Sequence, residues 1–384
     1  MSDAREPGTD RALRRARLKL VLQLLAFAGG LLLFAWMIRI ALSEKNQEQL
    51  SKLGEAPWWQ VGLLLGLSAA TLAINGLIFW ITLMPKRRLR MMDVQATNAI
   101  ATALAYLPAK LSALSRIAIH NRRDGVPILL ITSWFGAFGS VMLLVLGPLV
   151  AASLWRGGLD AWWWIASIGG IVLLAAATVA MGRFFEGDRG IDRLHALIDP
   201  LRLRALQRFL RTDAWRKMHA GFDMLADARM VAATAALRLL DIGVQAGRFI
   251  VIAWILGLDL RTEDAVLVAS TYFLVGVFSP AGNLGTREAS VVGAAAALGI
   301  GSADAFAAAA LAVTATESAV FLLGAFGGIA WLGPRRLLGL GKRAADESEP
   351  GLPDPARSEP SPTEPTIAAD EDRTRADQPD RRSD

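Results

Sequence analysis

Lys110, Arg116, Arg238, Arg248 and Arg287, together with Asp241, Glu288 and Glu317, stand in stretches otherwise apolar enough for the interior of a bilayer. Each charge there costs at least about 2.5 to 3.5 kcal/mol on insertion scales, so each needs an opposite charge or a wet cavity. Basic groups outnumber acidic ones, and arginine binds phosphate through forked hydrogen bonds, so a cavity lined by this set suits a phosphate-bearing substrate. Arg238, Asp241, Gln245 and Arg248 recur at helical spacing and share one face. Two readings of that stripe stay open: Arg238 and Arg248 flank Asp241 as a neutralised structural group, or the face lines a substrate path. Asn75 and Glu317 pose the same choice between helix–helix contact and cavity lining.

Two short segments interrupt the apolar pattern. Residues 106–116 read YLPAKLSALSR and residues 278–288 read FSPAGNLGTRE, so aromatic-x-Pro-Ala occurs in both. Pro108 and Pro280 each remove a backbone donor and stop a helix, while Gly282, Asn283 and Gly285 permit the turn that follows Pro280. Non-helical backbone at membrane depth survives only where protein or water satisfies it, so both segments mark a cavity. Thr286 is placed to cap the next helix, with Glu288 in its first turn. Arg116 and Glu288 are expected to approach each other, bracketing one head group or pairing when it is absent.

The elements that must position these residues are membrane helices. The chain has 384 residues, 53% of them hydrophobic, and a mean hydropathy of +0.38. Runs long enough to cross a bilayer lie near residues 19–42, 57–84, 126–153, 161–182, 230–257 and 303–332. Basic residues concentrate in the N-terminal arm (1–18), 85–90, 120–125, 183–229 and 334–343, which places both termini on the cytoplasmic side of a membrane that the chain crosses repeatedly. That orientation requires residues 92–119 and 265–300 to enter and leave on one side, from opposite faces. The expected fold is therefore an all-α polytopic membrane protein with six full spans and two opposed re-entrant helical hairpins. Span, span, hairpin, span is followed by the same order inverted, giving repeats over 19–153 and 161–332.

Other features fall around this frame. Residues 183–229 place leucines and a phenylalanine on one face and arginines on the other, as a helix lying on anionic inner-leaflet lipid does, with an ordinary solvated loop as the alternative. Trp58, Trp59 and residues 162–164 are expected interfacial anchors, and Gly62/Gly66, Gly243/Gly247 and Gly324/Gly328 expected packing contacts. Residues 344–384 carry too little apolar surface to fold and are expected to form a disordered cytoplasmic tail. The chain has no cysteine and only three histidines, His120, His195 and His219; no metal site or cofactor is expected, and no motif for nucleotide binding or triad catalysis is present. The formal charge of +6 is accounted for by topology rather than nucleic-acid binding.

At the two hairpins the sequence resembles the lysylphosphatidylglycerol synthase transmembrane family, the flippase-like portion of the multiple peptide resistance factor. Pro108, Lys110, Leu111, Leu114 and Arg116 match that family's P-G-R-L-G-E-L-x-R type motif; Gly282, Leu284, Gly285, Arg287 and Glu288 match its G-G-L-G-x-R-E type motif. Ser112, Ala113 and Asn283 depart from it, as does the stretch SWFGAFG from Ser133, where the family often has a Glu-Arg pair. The resemblance implies translocation of an anionic, aminoacylated or glycosylated lipid. The tail offers no room for the aminoacyl transferase domain of the full-length synthases, so lysylphosphatidylglycerol synthesis is not expected. Two other classes remain open at this stage: an accessory subunit or membrane enzyme working on polyprenyl or phospholipid head groups, and a scaffold that recruits a cytoplasmic partner.

Overall fold

Helices that are apolar on every side must either fill a large core or face lipid, and here they do both. The computed structural model describes residues 7–107, 110–156, 158–198, 207, 209, 210, 212–279, 282–300 and 303–334, and all regular secondary structure among them is helical. In chain order the helices are α1 (Pro7–Ala41), α2 (Gln47–Gly54), α3 (Trp58–Leu83), α4 (Met91–Ala103), α5 (Leu111–Arg122), α6 (Ile128–Arg156), α7 (Ala161–Phe184), α8 (Gly187–Ile198), α9 (Asp213–Met218), α10 (Ala220–Leu225), α11 (Ala228–Leu256), α12 (Thr262–Phe278), α13 (Thr286–Leu298) and α14 (Ala303–Leu332). Six of them contain segments long and apolar enough to span a membrane: Val21–Ala41, Trp58–Leu83, Ile128–Arg156, Ala161–Phe184, Ala228–Leu256 and Asp304–Leu332. The chain is a multi-pass membrane protein.

Local chemistry sets the helix ends. Asp160 caps α7 by accepting the Trp163 N–H at 2.8 Å. Asp227 caps α11 by accepting the N–H groups of Arg229 and Met230 at 2.9 and 3.1 Å, and Gly257, at φ 70°, ends that helix in the left-handed region glycine favours. Pro148 lies inside α6 and has no N–H for the carbonyl a turn back. It packs on Gly170 of α7, where a Cβ would sit 2.9 Å from the proline ring.

α11 and α14 are the most enclosed spans, whereas α1 and α7 are peripheral. α3 packs along α11, and α4 along α14. One apolar core is centred on α6, with Ile131, Trp134, Val141, Val145 and Leu149 buried. A second joins α11, α12 and α14 through Phe249, Val268, Tyr272, Phe306 and Val313. Below α6, Ser133 donates to the Met218 carbonyl at 2.7 Å, so α9 and α10 close that end of the bundle.

Several expectations change. α1 is one helix from Pro7, so the helix of the first span extends into the basic arm. Trp163 is buried, donating to Ser153 at 3.1 Å, and only Trp162 and Trp164 of that trio are exposed. Gly324 and Gly328 do pack closely, on Leu72 of α3 and Ala96 of α4, but Gly62 and Gly66 meet nothing within 4 Å. Thr286 does not cap α13: its hydroxyl donates back to the Gly282 carbonyl at 2.9 Å, and Gly285 holds the cap position. Pro108, Pro280, part of 183–229 and the tail from 344 lie outside the described residues.

Candidate functional site: a cavity between two broken helix pairs

The helix pairs α4–α5 and α12–α13 are each broken near their middle, and the breaks meet. After α4 the chain makes a 3-10 turn at Leu104–Tyr106. It re-enters helix at Lys110, at φ 55° the one non-glycine among the described residues with positive φ. After α12, Ser279 is extended, and Gly282 and Gly285 take φ values of 94° and 78°. The Asn283 N–H donates to the Ala105 carbonyl at 3.2 Å, and Lys110 Nζ donates to the Val277 carbonyl at 2.8 Å. A Cβ on Gly282 would lie 3.1 Å from the carbonyl oxygens of both Tyr106 and Leu107, and one on Gly285 would strike the Gly30 carbonyl of α1. Glycine is required at both places by space as well as by φ.

Beside this junction is a cavity of about 480 Å³. Lys110, Arg116, Gln245, Gly282, Asn283, Arg287 and Glu317, all selected from the sequence, line it with Asn75 and Asn98; Phe79, Phe135, Phe138, Phe273 and Phe321 supply much of the apolar wall. Leu107, Leu143, Val277 and Phe278 belong to the lining and are also exposed on the protein surface. The cavity, mostly apolar with a few charged and amide groups set into its wall, therefore opens through an apolar rim.

Three buried ion pairs lie around the cavity. Arg238 donates to Asp241 at 2.7 Å and to Asn75 Oδ1 at 3.1 Å, while Gln245 donates to the same carboxylate at 2.8 Å. This neutral pair lies behind the cavity wall. Arg248 does not flank Asp241 as the stripe suggested; its Nη1 donates to Glu317 Oε2 at 2.6 Å. Arg287 donates to Glu317 Oε1 at 2.7 Å and lies 3.6 Å over the Tyr272 ring. Glu317 is thus shared by two arginines, and both tyrosines of the chain reach it, Tyr106 and Tyr272 each at 3.4 Å.

Arg116 and Glu288 stand apart from these pairs and from each other. Arg116 is buried on α5, donates Nη2 to Asn98 Oδ1 at 2.6 Å and stacks 4.0 Å over Phe79. Asn98 is held for this by donating its own amide to the Leu72 carbonyl at 2.8 Å. Arg116 Nη1 has no hydrogen-bond partner, and no carboxylate lies within ion-pair distance among the described residues. Glu288, fully buried on α13 behind the cavity wall, is hydrogen-bonded through Oε1 to Thr314 Oγ1 at 2.6 Å, and its Oε2 has no partner. The expected Arg116–Glu288 pair is not formed.

Asn98, Tyr106, Tyr272, Thr314 and Phe79 complete the site and were not selected from the sequence. Asn98 carried a readable signal, being an amide inside the apolar stretch that becomes α4, and so did the tyrosines, of which the chain has two. Phe79 carried none, since one more phenylalanine in an apolar helix is ordinary.

Fold and cavity define a class: a polytopic helical membrane protein with a net basic chamber at the junction of two broken helix pairs. Within that class, the chain belongs to the family described as the lysylphosphatidylglycerol synthase TM region, whose model matches residues 14–324. Comparison with curated proteins and with solved structures returns no match. The family makes this a membrane protein related to lipid modification or flipping.

Proposed function

We propose that the protein is a flippase-like transporter that moves the head group of an anionic, aminoacylated or glycosylated lipid through the cavity. The observation that carries this reading is Arg116: a buried guanidinium with no acid partner, one N–H group unsatisfied, facing a chamber with an apolar rim. A buried cation left unpaired is costly. An entering phosphate supplies the missing charge and acceptor together, while the acyl chains leave past Leu107, Leu143, Val277 and Phe278 into the bilayer.

Alternating access follows from reading the broken pairs as re-entrant hairpins entering from opposite leaflets, within inverted repeats over 19–153 and 161–332. Packing supports that symmetry: α3 lies on α4 as α11 lies on α12, and α14 lies on α1 as α6 lies on α7. In this arrangement both termini are cytoplasmic and the membrane is the bacterial inner membrane. Segment 183–229 rests on anionic inner-leaflet lipid, with Leu197 and Phe209 exposed among Arg189, Arg193, Arg216 and Lys217.

Reconstitution tests the reading. The protein in vesicles carrying tail-labelled phosphatidylglycerol, its lysyl derivative or a glycolipid is assayed for loss of label protection in the inner leaflet. Wild type is expected to equilibrate at least one of these lipids across the bilayer, and Arg116→Met to equilibrate none. Equal rates for wild type and Arg116→Met would overturn the assignment of Arg116 and the cavity.

A further inference from the structure

We propose that Glu288 holds an exchangeable proton, which passes through Thr314 and Tyr272 to Glu317 when an anion occupies the cavity. Four side chains form one line of oxygens across three helices. Glu288 Oε1 to Thr314 Oγ1 is 2.6 Å, Thr314 Oγ1 to the Tyr272 hydroxyl is 3.0 Å, and the Tyr272 hydroxyl to Glu317 Oε2 is 3.4 Å. The line has three links, and its two hydroxyls own one hydrogen each. With both carboxyls ionised, one link has no hydrogen to fill it. A third proton completes the chain, and its two resting places are the two ends.

The ends are not equivalent. Glu317 is bound by Arg248 and Arg287, so its ionised form is compensated. Glu288 has no ion pair among the described residues, is fully buried and leaves Oε2 unpartnered. A buried carboxyl without a cation is cheaper neutral than charged. The groups facing it are Thr314 of α14, Tyr272 of α12 and Arg287 of its own helix, with Glu317 one turn beyond Thr314 and Arg248 of α11 beyond that. α1 meets this end of α13 at Gly30 and Phe34, which carry no charge. Glu288 lies in the first turn of α13, and a helix N-terminus favours a carboxylate, which keeps the proton exchangeable.

Transfer balances along the line. The Glu288 O–H bond breaks as its hydrogen goes to Thr314, Thr314 gives its own hydrogen to Tyr272, and Tyr272 gives its own to Glu317. One proton leaves Glu288 and one arrives on Glu317. The trigger is competition for Arg287, which lines the cavity with Glu317 while Glu288 does not. An anionic head group that draws Arg287 away removes half of the compensation at Glu317 and makes it the better proton acceptor. Protonated Glu317 then opens to the chamber, so lipid occupancy and proton release share one residue. This trigger rests on the cavity being an anion site; the proton on Glu288 does not.

Infrared spectroscopy of the purified full chain in detergent separates the two. Wild type at neutral pH is expected to show a protonated-carboxyl band that Glu288→Gln removes. No such band in wild type, or a band unchanged in Glu288→Gln, overturns the proposal. If Glu288→Gln is not recovered, Thr314→Val reads the same carboxyl, because losing its hydroxyl partner must shift the band; an unshifted band is again fatal. Adding phosphatidylglycerol is expected to move the band in wild type but not in Thr314→Val or Tyr272→Phe, and a lipid-induced change that persists in both variants overturns the relay. If the Glu288 band is present but phosphatidylglycerol leaves it unmoved in wild type, the coupling is overturned while the proton on Glu288 stands. In vesicles, one unit of pH changes the acid-to-carboxylate ratio about tenfold, so an imposed pH gradient should alter translocation by wild type and lose that effect in Glu288→Gln.

Discussion

The backbone N–H of Asn283 donates to the backbone carbonyl of Ala105, so the breaks in two helix pairs far apart in sequence are joined main chain to main chain. Next to this bond Gly282 lies against the Tyr106 and Leu107 carbonyls of the other break.

Gly282→Ala is therefore expected to destabilise the protein. Its φ of 94° is disfavoured for any residue with a Cβ, and that Cβ would meet two carbonyl oxygens at 3.1 Å. A residue forced into such a region costs about 1–3 kcal/mol. Gly243→Ala is the control, since nothing lies within 4 Å of that position. Thermal unfolding in detergent should show a lower midpoint for Gly282→Ala and none of that loss for Gly243→Ala.

Removing a charge should cost far more at the Glu317 ion pairs than at Arg116, whose hydrogen-bond partner is neutral. Glu317→Gln strands both Arg248 and Arg287 and is expected to cost about 3–5 kcal/mol, the usual penalty for breaking a buried pair from one side. Arg116→Met strands no carboxylate and removes one hydrogen bond to Asn98 Oδ1, which Thr102 also approaches, a loss of about 1 kcal/mol. Unfolding midpoints that rank these variants the other way would contradict the charge arrangement described above.

Between α9 and α10, burial holds the imidazole of His219 below the usual histidine range, partly offset by Asp223 and Asp188, with Lys86 acting in the same direction as burial. Protonation therefore favours the unfolded chain. The stability contributed here is complete above the unfolded value of about 6.5 and falls as pH drops through that value toward the lower folded one. Melting curves of wild type from mildly alkaline to mildly acid pH should show that decline, and His219→Phe should reduce it.

Because the chain lacks cysteine, single introduced thiols report sidedness without background. An impermeant reagent applied to intact cells should label Cys at Gln47 and Gly158 but not at Arg88 or Arg122. Gly190 is unsuited to this use, since any Cβ there would strike the Phe185 carbonyl. Outside labelling at Arg122 would defeat the inverted arrangement.

What was legible in the sequence was set by composition along the chain. The six spans emerge from runs of apolar residues, and both breaks from a proline beside glycines or a lysine in such a run. Deep charges were also legible, because a bilayer makes each of them expensive. Their partners were not. Arg248 and Arg238 lie on one face of α11, yet one turns to Glu317 and the other to Asp241; the choice depends on how α11 is rotated against α14 and α3, which periodicity does not contain. Arg116 and Glu288 looked complementary for the same reason, and each instead found a neutral partner on its nearest helix.

In mechanical terms Glu317 is a rivet. α11, α12, α13, α14 and the turn at Tyr106 all fasten to that one carboxyl, so none can slide past the others without parting an ion pair or a hydrogen bond there. The opposite wall is α6, which meets the network through rings, Phe138 lying 5.3 Å from the Arg238 guanidinium. Its hydrogen bonding is interrupted at Pro148, and Gly136, Gly139 and Gly147 have open space beside them. One side of the chamber is thus fastened by ion pairs and hydrogen bonds to a single carboxyl, and the α6 side is held by apolar packing and ring contacts.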